Sequence, residues 1–280
     1  MIASIRLLMF RVLRALSIYI VSPIEYNWFK VFKEQKKLGL EINRQINLSV
    51  IRFDLNGSSL KPKLRSNSSD IAVFRQIFIL NEYMPAIQIL QSVGKVVKNM
   101  VDAGANVGFT SLQVAAFFPE VKILAIEADP ENYQWLKQNL ETHFPNRTTA
   151  LNRALWSTNE ALTFENSNNS NYWARKMTPS ASQGVNSIIG YSAKDMLDYY
   201  GAETIDFLKI DIEGAETEFF KDKETSLELL KNTRLMAIEL HGNEVFERVL
   251  KDWLVLAGFF YFHSSESIIA YNKHIYSNKP

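Results

Sequence analysis

The segment from Asp102 to Gly108 has the residues that a small nucleotide-like ligand needs. It lies between an apolar run and an amphipathic one, which is typical of a turn that joins a strand to a helix. Glycine permits a sharp turn, and the free N–H groups at the start of the following helix point toward a ligand. The spacing D-x-G-x-N-x-G predicts an S-adenosylmethionine site, with Asp102 near the cationic amino end. The residues expected to bind the cofactor here are Asp102, Gly104, Asn106 and Gly108.

A dinucleotide site is the main alternative for this turn. Its G-x-G-x-x-G pattern, begun at Gly104, requires glycine at positions 106 and 109, where the chain has Asn106 and Phe109. The sequence therefore favours S-adenosylmethionine over NAD, and an NAD-dependent oxidoreductase is the less favoured function.

An acidic residue ends the next strand-like run, Val121–Glu127. A carboxylate at this place in an open α/β sheet can accept hydrogen bonds from both hydroxyls of a ribose. Glu127 is therefore predicted to hold the ribose of the cofactor. The neighbouring Ala128, and Ala154 at the end of the run Thr148–Ala154, are expected to line the same site.

Acidic residues and one histidine follow two further strand-like runs. Asp211 ends Ile205–Asp211 and His241 follows Leu235–Leu240, so both are predicted at the carboxyl edge of the sheet, near the transferred methyl group. We predict that His241, with an ordinary pKa of about 6.5, is the general base for a substrate hydroxyl. The predicted catalytic residues are His241, Asp211 and Glu213, and Asp211 is also expected to contact the cofactor.

Alternatives accompany these catalytic assignments. His241 could instead form a hydrogen bond with a neighbouring backbone group. Glu213 and Glu216 fall in the first turn of a predicted helix, where acidic side chains also interact favourably with the helix dipole. Asp211, Glu239 and His241 bring oxygen and imidazole ligands to adjacent strand ends, a set that suits a divalent cation. We nevertheless expect an enzyme that uses no metal.

Short apolar runs alternate with amphipathic segments from Val96 onward, which is typical of a parallel sheet covered by helices on both faces. The predicted strands are Val96–Ala103, Val121–Glu127, Thr148–Ala154, Ile205–Asp211 and Leu235–Leu240. The predicted helices are Thr110–Phe118, Pro130–Phe144, Ala193–Tyr200, Ala215–Asn232 and Asn243–Ala257. Two last runs, Phe259–His263 and Ile268–Tyr271, predict a hairpin. The expected fold class is α/β, with the Rossmann-like, mostly parallel sheet of class I methyltransferases and a C-terminal antiparallel hairpin.

Four segments resemble, in order and spacing, the FkbM family of S-adenosylmethionine-dependent methyltransferases. They are VDAGANVGFTS, AIEADPENYQWLKQNL, IDFLKIDIEGAETEFF and MAIELHG. The resemblance reaches back to SDIAVFRQIFILNEY and covers residues 70–272, with KIDIEGAE as its most diagnostic part. It implies O-methylation of a hydroxyl on a glycan, a natural product or another small metabolite. A noncatalytic binding protein that keeps the fold is a second alternative.

Residues 1–69 are predicted to form a helical extension and a linker, ahead of a methyltransferase domain of residues 70–280. Residues 1–44 have eight Lys or Arg against three Asp or Glu. Arg6, Arg11 and Arg14 interrupt the apolar start, and the uncharged run Ala15–Ile24 would be only about 15 Å long as a helix, too short for a bilayer span. We expect residues 1–24 to pack on the core or a partner subunit, or to make a peripheral membrane contact.

Composition sets the remaining expectations. The chain has no cysteine, which excludes thiolate sites and disulfides and fits the cytoplasm, with membrane association as the alternative. No basic face is evident beyond residue 44, so we expect no nucleic-acid partner.

The polar segment Asn166–Asn186, with Tyr172, Trp173 and Arg175, is either a surface insertion or a loop that closes over the substrate. The oligomeric state is left open.

Overall fold

The computed structural model describes residues 22–164, 177–180 and 187–273. Contacts along the chain divide it into two compact units, Met1–Asn81 and Glu82–Pro280. The predicted boundary after residue 69 falls inside the first unit, and a functional domain that begins at residue 70 stays a prediction. The predictions for residues 1–21 and for most of Asn166–Asn186 lie outside the described residues.

The first unit combines helices with a small antiparallel sheet. Its elements are α1 (Pro23–Leu38), β1 (Glu41–Arg44), β2 (Leu48–Leu55), β3 (Ser58–Leu60), β4 (Lys63–Arg65), α2 (Asp70–Phe74) and a π-helical turn, Arg75–Ile79. Strand β2 pairs antiparallel with each of the other three strands. The indole of Trp28, on α1, is buried and donates a hydrogen bond to the carbonyl of Ser66, which ties the helix to the sheet.

The prediction of a helical extension and linker was wrong for residues 41–65. In β2 every second residue from Ser49 to Phe53 is buried, the period of a half-buried strand. Asn56 and Gly57 have φ angles of 48° and 79° and join β2 to β3 in a tight hairpin. Asn-Gly favours this turn, so the signal for a hairpin was present within residues 1–69, which we predicted to form a helical extension and a linker.

The second unit alternates strands and helices. Its described strands are β5 (Asn99–Ala103), β6 (Lys122–Glu127), β7 (Thr148–Asn152), β8 (Ala154–Leu155), β9 (Ala161–Phe164), β10 (Met177–Pro179), β11 (Ile188–Tyr191), β12 (Ile205–Ile210), β13 (Thr233–Glu239), β14 (Phe259–Ser264) and β15 (Ser267–Asn272). Its described helices are α3 (Met84–Ser92), α4 (Phe109–Phe117), α5 (Pro130–His143), α6 (Ala193–Tyr200), α7 (Glu216–Phe219), α8 (Lys223–Lys231) and α9 (Glu244–Leu256). Among the described residues, no helix has the length and apolar character that crossing a membrane requires.

The main sheet has seven strands in the order β14-β15-β13-β12-β5-β6-β7. The strands from β13 to β7 in this order are parallel, and β15 and β14 are antiparallel. This arrangement confirms the predicted α/β fold with a mostly parallel sheet and a C-terminal hairpin.

Two predicted elements are divided in the structure. The run Thr148–Ala154 forms β7 and β8, and β8 belongs to a second sheet with the order β10-β9-β11-β8. The helix predicted over Ala215–Asn232 forms α7 and α8, because Asp222 caps a new helix by accepting a hydrogen bond from the N–H of Thr225. Neither division changes the order of the main strands.

The register of the parallel strands brings their carboxyl ends side by side. Ala103 pairs with Ile210 on one side and Ile126 on the other, and Ile210 pairs with Ile238. The segments that follow these strands therefore leave the sheet at a common edge, the usual ligand-binding edge of open α/β sheets.

A buried lysine joins two of these strand ends. Lys209 is 3% exposed, and its Nζ donates a hydrogen bond to the carbonyl of Gly104 at 2.6 Å. The same Nζ lies 3.4 Å from Oδ1 of Asp102 and 3.6 Å from Oδ2 of Asp211. Burial by itself lowers the pKa of Lys209, but the charges of the two aspartates raise it above its ordinary value. The lysine is therefore a buried cation shared by two carboxylates.

Replacing Lys209 by methionine removes this charge and keeps most of the side-chain volume. Loss of one partner of a buried ion pair costs about 3–5 kcal/mol, so the free energy of unfolding in urea should fall by that amount. Lys221→Met is the matched control, because Lys221 is 68% exposed in its pair with Glu218 and such pairs contribute at most about 1 kcal/mol. Equal small losses in both variants would contradict this account of the network.

Candidate active site

The glycine-rich turn after β5 is held against the neighbouring strand. The N–H groups of Gly104 and Ala105 both donate to the carbonyl of Ile126, at 2.9 and 3.0 Å. Three residues of the turn have positive φ angles: Gly104 at 71°, Asn106 at 51° and Gly108 at 89°. The predicted turn between a strand and a helix is therefore present, with glycine at two of the positions that need a left-handed backbone.

Packing requires glycine at position 104, and the left-handed backbone favours glycine at position 108. A Cβ on Gly104 would lie 1.6 Å from the carbonyl oxygen of Asp211, and one on Gly108 would lie 2.8 Å from Cδ1 of Leu136. The glycines thus let the turn pack closely on the end of β12 and on α5. Their predicted role of making room for a ligand stays a prediction.

Glu127 ends β6 with only 8% of its surface exposed. Its carboxylate accepts hydrogen bonds from the N–H groups of Asn106 and Asp129, at 2.8 and 2.9 Å. Burial raises the pKa of Glu127 to about 7; the Asp129 charge adds to the rise, while the two backbone N–H groups and Lys209 oppose it. Each oxygen keeps a lone pair beyond the one bonded to the protein. The predicted bonds to a ribose fit this geometry and stay a prediction.

The side chains of Asn106 and Asp102 each have one buried oxygen that could accept a hydrogen bond from a ligand. The buried Oδ1 of Asn106 has no hydrogen-bond partner among the described residues, so a donor on a bound cofactor would satisfy it. Asp102 is 0% exposed, accepts a hydrogen bond from Ser111 and pairs with Lys209. Oδ1 of Asp102, like that of Asn106, has no hydrogen-bond partner among the described residues. The predicted contact of Asp102 with the amino end of the cofactor stays a prediction, and Asn106 is a second acceptor that fits this role.

The two alanines predicted to line the cofactor site lie at one small apolar cluster. Its buried members are Ala154, Trp156, Leu162 and Ile188, and Ala128 packs against them. The amide of Asn152 donates to the carbonyls of Glu127 and Ala128, at 2.9 and 3.0 Å. These bonds hold the segment that follows β6 in place beside the cluster.

His241 is surrounded by four carboxylates. Its Nδ1 lies 2.9 Å from Oε1 of Glu216. Its Nε2 lies 3.3 Å from Glu239, 3.5 Å from Glu213 and 3.9 Å from Asp211. The structure thus brings together the three predicted catalytic residues, His241, Asp211 and Glu213, and adds two further acids.

This environment changes the predicted role of His241. Hydrogen bonds to Glu216 and Glu239 raise the pKa of His241 to about 11. An imidazole with such a pKa is protonated at neutral pH, and both of its nitrogens are then donors. The prediction of a general base assumed an ordinary pKa of about 6.5 and needs correction. The sequence did not reveal how many acids face this one ring.

Glu213 and Glu216 have different environments. Glu216 is 2% exposed and accepts hydrogen bonds from Gly214 N and from His241, so it holds the imidazole and does not act only on the helix dipole. The Glu213 side chain is 39% exposed, and its φ of 54° is costly for a residue with a side chain. Burial, and next the charge of Asp211, raise the pKa of Glu213 to about 7. Burial also raises the pKa of Asp211.

Tyr83 is a site residue that the sequence analysis missed. It is 2% exposed, and its hydroxyl forms no hydrogen bond with any residue that the structure describes. Burial, followed by the charges of Asp211, Glu82, Asp102 and Glu239, raises the pKa of Tyr83 well above its ordinary value. Buried tyrosine hydroxyls usually have a partner. The one indication of Tyr83 in the sequence was its place in the segment NEY, which lies in the region that resembles the family.

The segment Asn166–Asn186 is described only at residues 177–180. There, β10 pairs antiparallel with β9. Tyr172, Trp173 and Arg175, on which the predicted closing loop depends, lie outside the described residues.

Solved structures of methyltransferases align with the chain at low sequence identity. "Human methyltransferase 10 domain containing protein" is 15% identical with a TM-score of 0.48, over 90% of this chain and 96% of that one. A putative caffeoyl-CoA O-methyltransferase from Staphylococcus aureus is 18% identical with a TM-score of 0.42, over 74% and 93%. A putative RNA methyltransferase, PH1948 from Pyrococcus horikoshii, is 13% identical with a TM-score of 0.39, over 68% and 82%.

Sequence comparison gives the family. Residues 102–267 match the family described as "Methyltransferase FkbM domain". "Methyltransferase sdnD" from Sordaria araneosa is 30% identical over 196 residues, which cover 55% of this chain and 71% of that protein. The chain therefore belongs to the FkbM family of methyltransferases, for which S-adenosylmethionine is the cofactor.

Proposed function

We propose that this methyltransferase transfers the methyl group to a hydroxyl of a glycan, a natural product or another small metabolite. The observation that carries the proposal is the group of carboxylates around His241, next to the glycine-rich turn. A hydroxyl oxygen becomes a good nucleophile as its proton leaves, and carboxylates at the sheet edge are acceptors for that proton.

The cofactor half of the proposed site is the edge formed by the glycine-rich turn and the end of β6. Asn106 offers its unpaired Oδ1 to the amino end, and Glu127 accepts hydrogen bonds from the ribose hydroxyls. Ala128 and Ala154 supply apolar surface, while Gly104, Gly108 and Asp102 shape the turn. When bound, S-adenosylmethionine supplies a methyl group on positively charged sulfur. The protein's tasks are therefore alignment and exclusion of water.

The acceptor half of the proposed site consists of Asp211, Glu213 and His241. Glu213 is the most exposed of the four carboxylates that face the imidazole. An incoming hydroxyl can thus reach it most easily, and we assign it the acceptance of the hydroxyl proton. Asp211 and His241 orient the acceptor oxygen. The absence of a nucleic-acid partner, a cytoplasmic location and membrane contact through residues 1–24 remain predictions.

Labelled S-adenosylmethionine tests the proposed function. The wild-type chain is incubated with the labelled methyl donor and with metabolite and glycan extracts, and labelled products are separated. The proposal expects label in methyl ethers, which resist mild alkali. Label found only on nitrogen or carbon would contradict O-methylation.

The pH dependence of cofactor binding tests the role of Glu127. Its pKa is raised to about 7, so it loses its charge below that pH and accepts hydrogen bonds less well. Affinity for S-adenosylhomocysteine, measured by calorimetry, should therefore fall as the pH drops from about 8 to about 6.

Substitutions of Glu127 show whether the pH dependence of cofactor binding comes from this carboxylate or from its charged neighbours, Asp129 and Lys209. Hydrogen bonds to a charged group contribute about 1.5–3 kcal/mol each, so Glu127→Ala should weaken binding roughly tenfold or more. Glu127→Gln should also remove most of the pH dependence, and Glu120→Ala, at an exposed site, should change neither quantity. A pH profile that survives in Glu127→Gln would assign the effect to another group.

Substituting Glu213 tests the proton acceptor. Glu213→Gln keeps the shape but removes the charge, so turnover should fall by about 10²–10⁴-fold. Affinity for S-adenosylhomocysteine should stay within about twofold of the wild-type value, because Glu213 belongs to the acceptor half of the proposed site and the loss of one hydrogen bond would have a larger effect. Glu224→Gln, an exposed acid at the start of α8, is the control. Full turnover in Glu213→Gln on the true acceptor would refute this assignment.

A further inference from the structure

We infer that Asp211, Glu239 and His241 bind a divalent cation at the carboxyl edge of the main sheet. Asp211 directly follows β12, Glu239 ends β13, and His241 comes two residues later. The inference goes beyond the proposed function, and it reverses the expectation from the sequence that the enzyme uses no metal.

The distances between the ligand atoms suit one shared ion. One ligand atom from each residue lies within 4.8 Å of the other two. Nε2 of His241 is 3.3 Å from Oε1 of Glu239 and 3.9 Å from Oδ1 of Asp211. Two ligands held about 2.1 Å from an ion lie roughly 3.0 Å apart at right angles and about 4.2 Å apart when opposite. Small side-chain movements therefore suffice to bring all three atoms onto one ion.

The imidazole is already oriented for this role. Nδ1 of His241 bonds to the buried Glu216, which also accepts a hydrogen bond from Gly214 N. Nε2 then faces Asp211 and Glu239. A carboxylate on the far nitrogen of a metal-binding histidine is the usual second layer of such sites, because it sets the ring direction and the tautomer.

Tyr83 is a neutral polar side chain on which the carboxylates of this cluster act. The residue is 2% exposed, and its hydroxyl forms no hydrogen bond within the described part of the chain. The carboxylates of Asp211 and Glu239 act on that hydroxyl. A water or an acceptor oxygen bound to the ion would give the hydroxyl its partner.

The charges around the site also favour a cation. Asp211, Glu213, Glu216 and Glu239 face His241, and Lys209 is the other cation in contact with Asp211. Acids therefore outnumber bases in the cluster. Two carboxylates with one imidazole suit an ion such as Mn²⁺, between the oxygen preference of Mg²⁺ and the nitrogen preference of Zn²⁺.

The ion would complete the reaction that we propose above, and this step rests on that proposal. The hydroxyl proton passes to Glu213, the oxygen bonds to the methyl carbon, and the electron pair of the carbon–sulfur bond stays on sulfur. A cation beside the acceptor oxygen stabilises its developing negative charge. Coordination of the ion would displace the proton from Nε2, so His241 would be a neutral ligand and not the base.

Titration of the full chain with MnCl2 tests the site, because electron paramagnetic resonance measures free Mn²⁺ without S-adenosylmethionine or an acceptor. We expect saturable binding of one ion per chain. His241→Gln, Glu239→Gln and Asp211→Asn should each weaken binding at least tenfold, and Glu216→Gln by about 10–100-fold. Glu266→Gln, an exposed acid in the turn after β14, should bind as the wild type does.

His241→Gln and Glu239→Gln are the two decisive variants, and each is first shown to be folded by its unchanged calorimetric affinity for S-adenosylhomocysteine. No saturable binding by the wild type at millimolar Mn²⁺ would overturn the inference, as would wild-type affinity in both variants. Mn²⁺ binding in a chain that methylates no hydroxyl would refute only the proposed function. O-methylation by a chain that binds no ion would refute only the cation site.

Discussion

The ammonium group of Lys209 is the constraint on which the site depends. It is buried between the ends of β5 and β12, bonded to the carbonyl of Gly104 and paired with Asp102 and Asp211. A buried charge is stable only when it is paired and hydrogen-bonded. The turn with the proposed cofactor residues and the strand end with Asp211, an acid of the proposed acceptor site, are thus fixed to one atom.

Close packing adds to this electrostatic link. Because Gly104 has no Cβ, its backbone can lie directly on the carbonyl of Asp211, and Asp211 N donates in turn to the carbonyl of Ala103. Asp211 and three glutamates converge on His241, an arrangement that would be repulsive without a cation. The protonated imidazole supplies one positive charge in the structure, and a divalent ion bound at Nε2 would replace that proton with a larger charge. The proposed cofactor and acceptor sites are therefore parts of one network.

Much of this fold was predictable because its local signals agree. The apolar runs that alternate with helical segments predicted the alternation of strands and helices. Phe259–Ser264 and Ser267–Asn272 form the expected hairpin. The strand-end acids Glu127 and Asp211 also followed from pattern. Other features depend on contacts between distant residues. Burial of Tyr83, enclosure of Asp102 by Lys209, and the five-group cluster at His241 arise only when the strand ends meet. The β2–β3 hairpin does not depend on such distant contacts. Its Asn-Gly turn was a local signal in the sequence that we overlooked.

The central claim is that the common strand edge binds S-adenosylmethionine and does not bind a dinucleotide. Calorimetric titration of the wild-type chain with S-adenosylhomocysteine, and in parallel with NAD, tests it most directly. The account predicts saturable binding of one S-adenosylhomocysteine per chain and no heat from NAD at the same concentrations. Saturable binding of NAD with none of S-adenosylhomocysteine would contradict it.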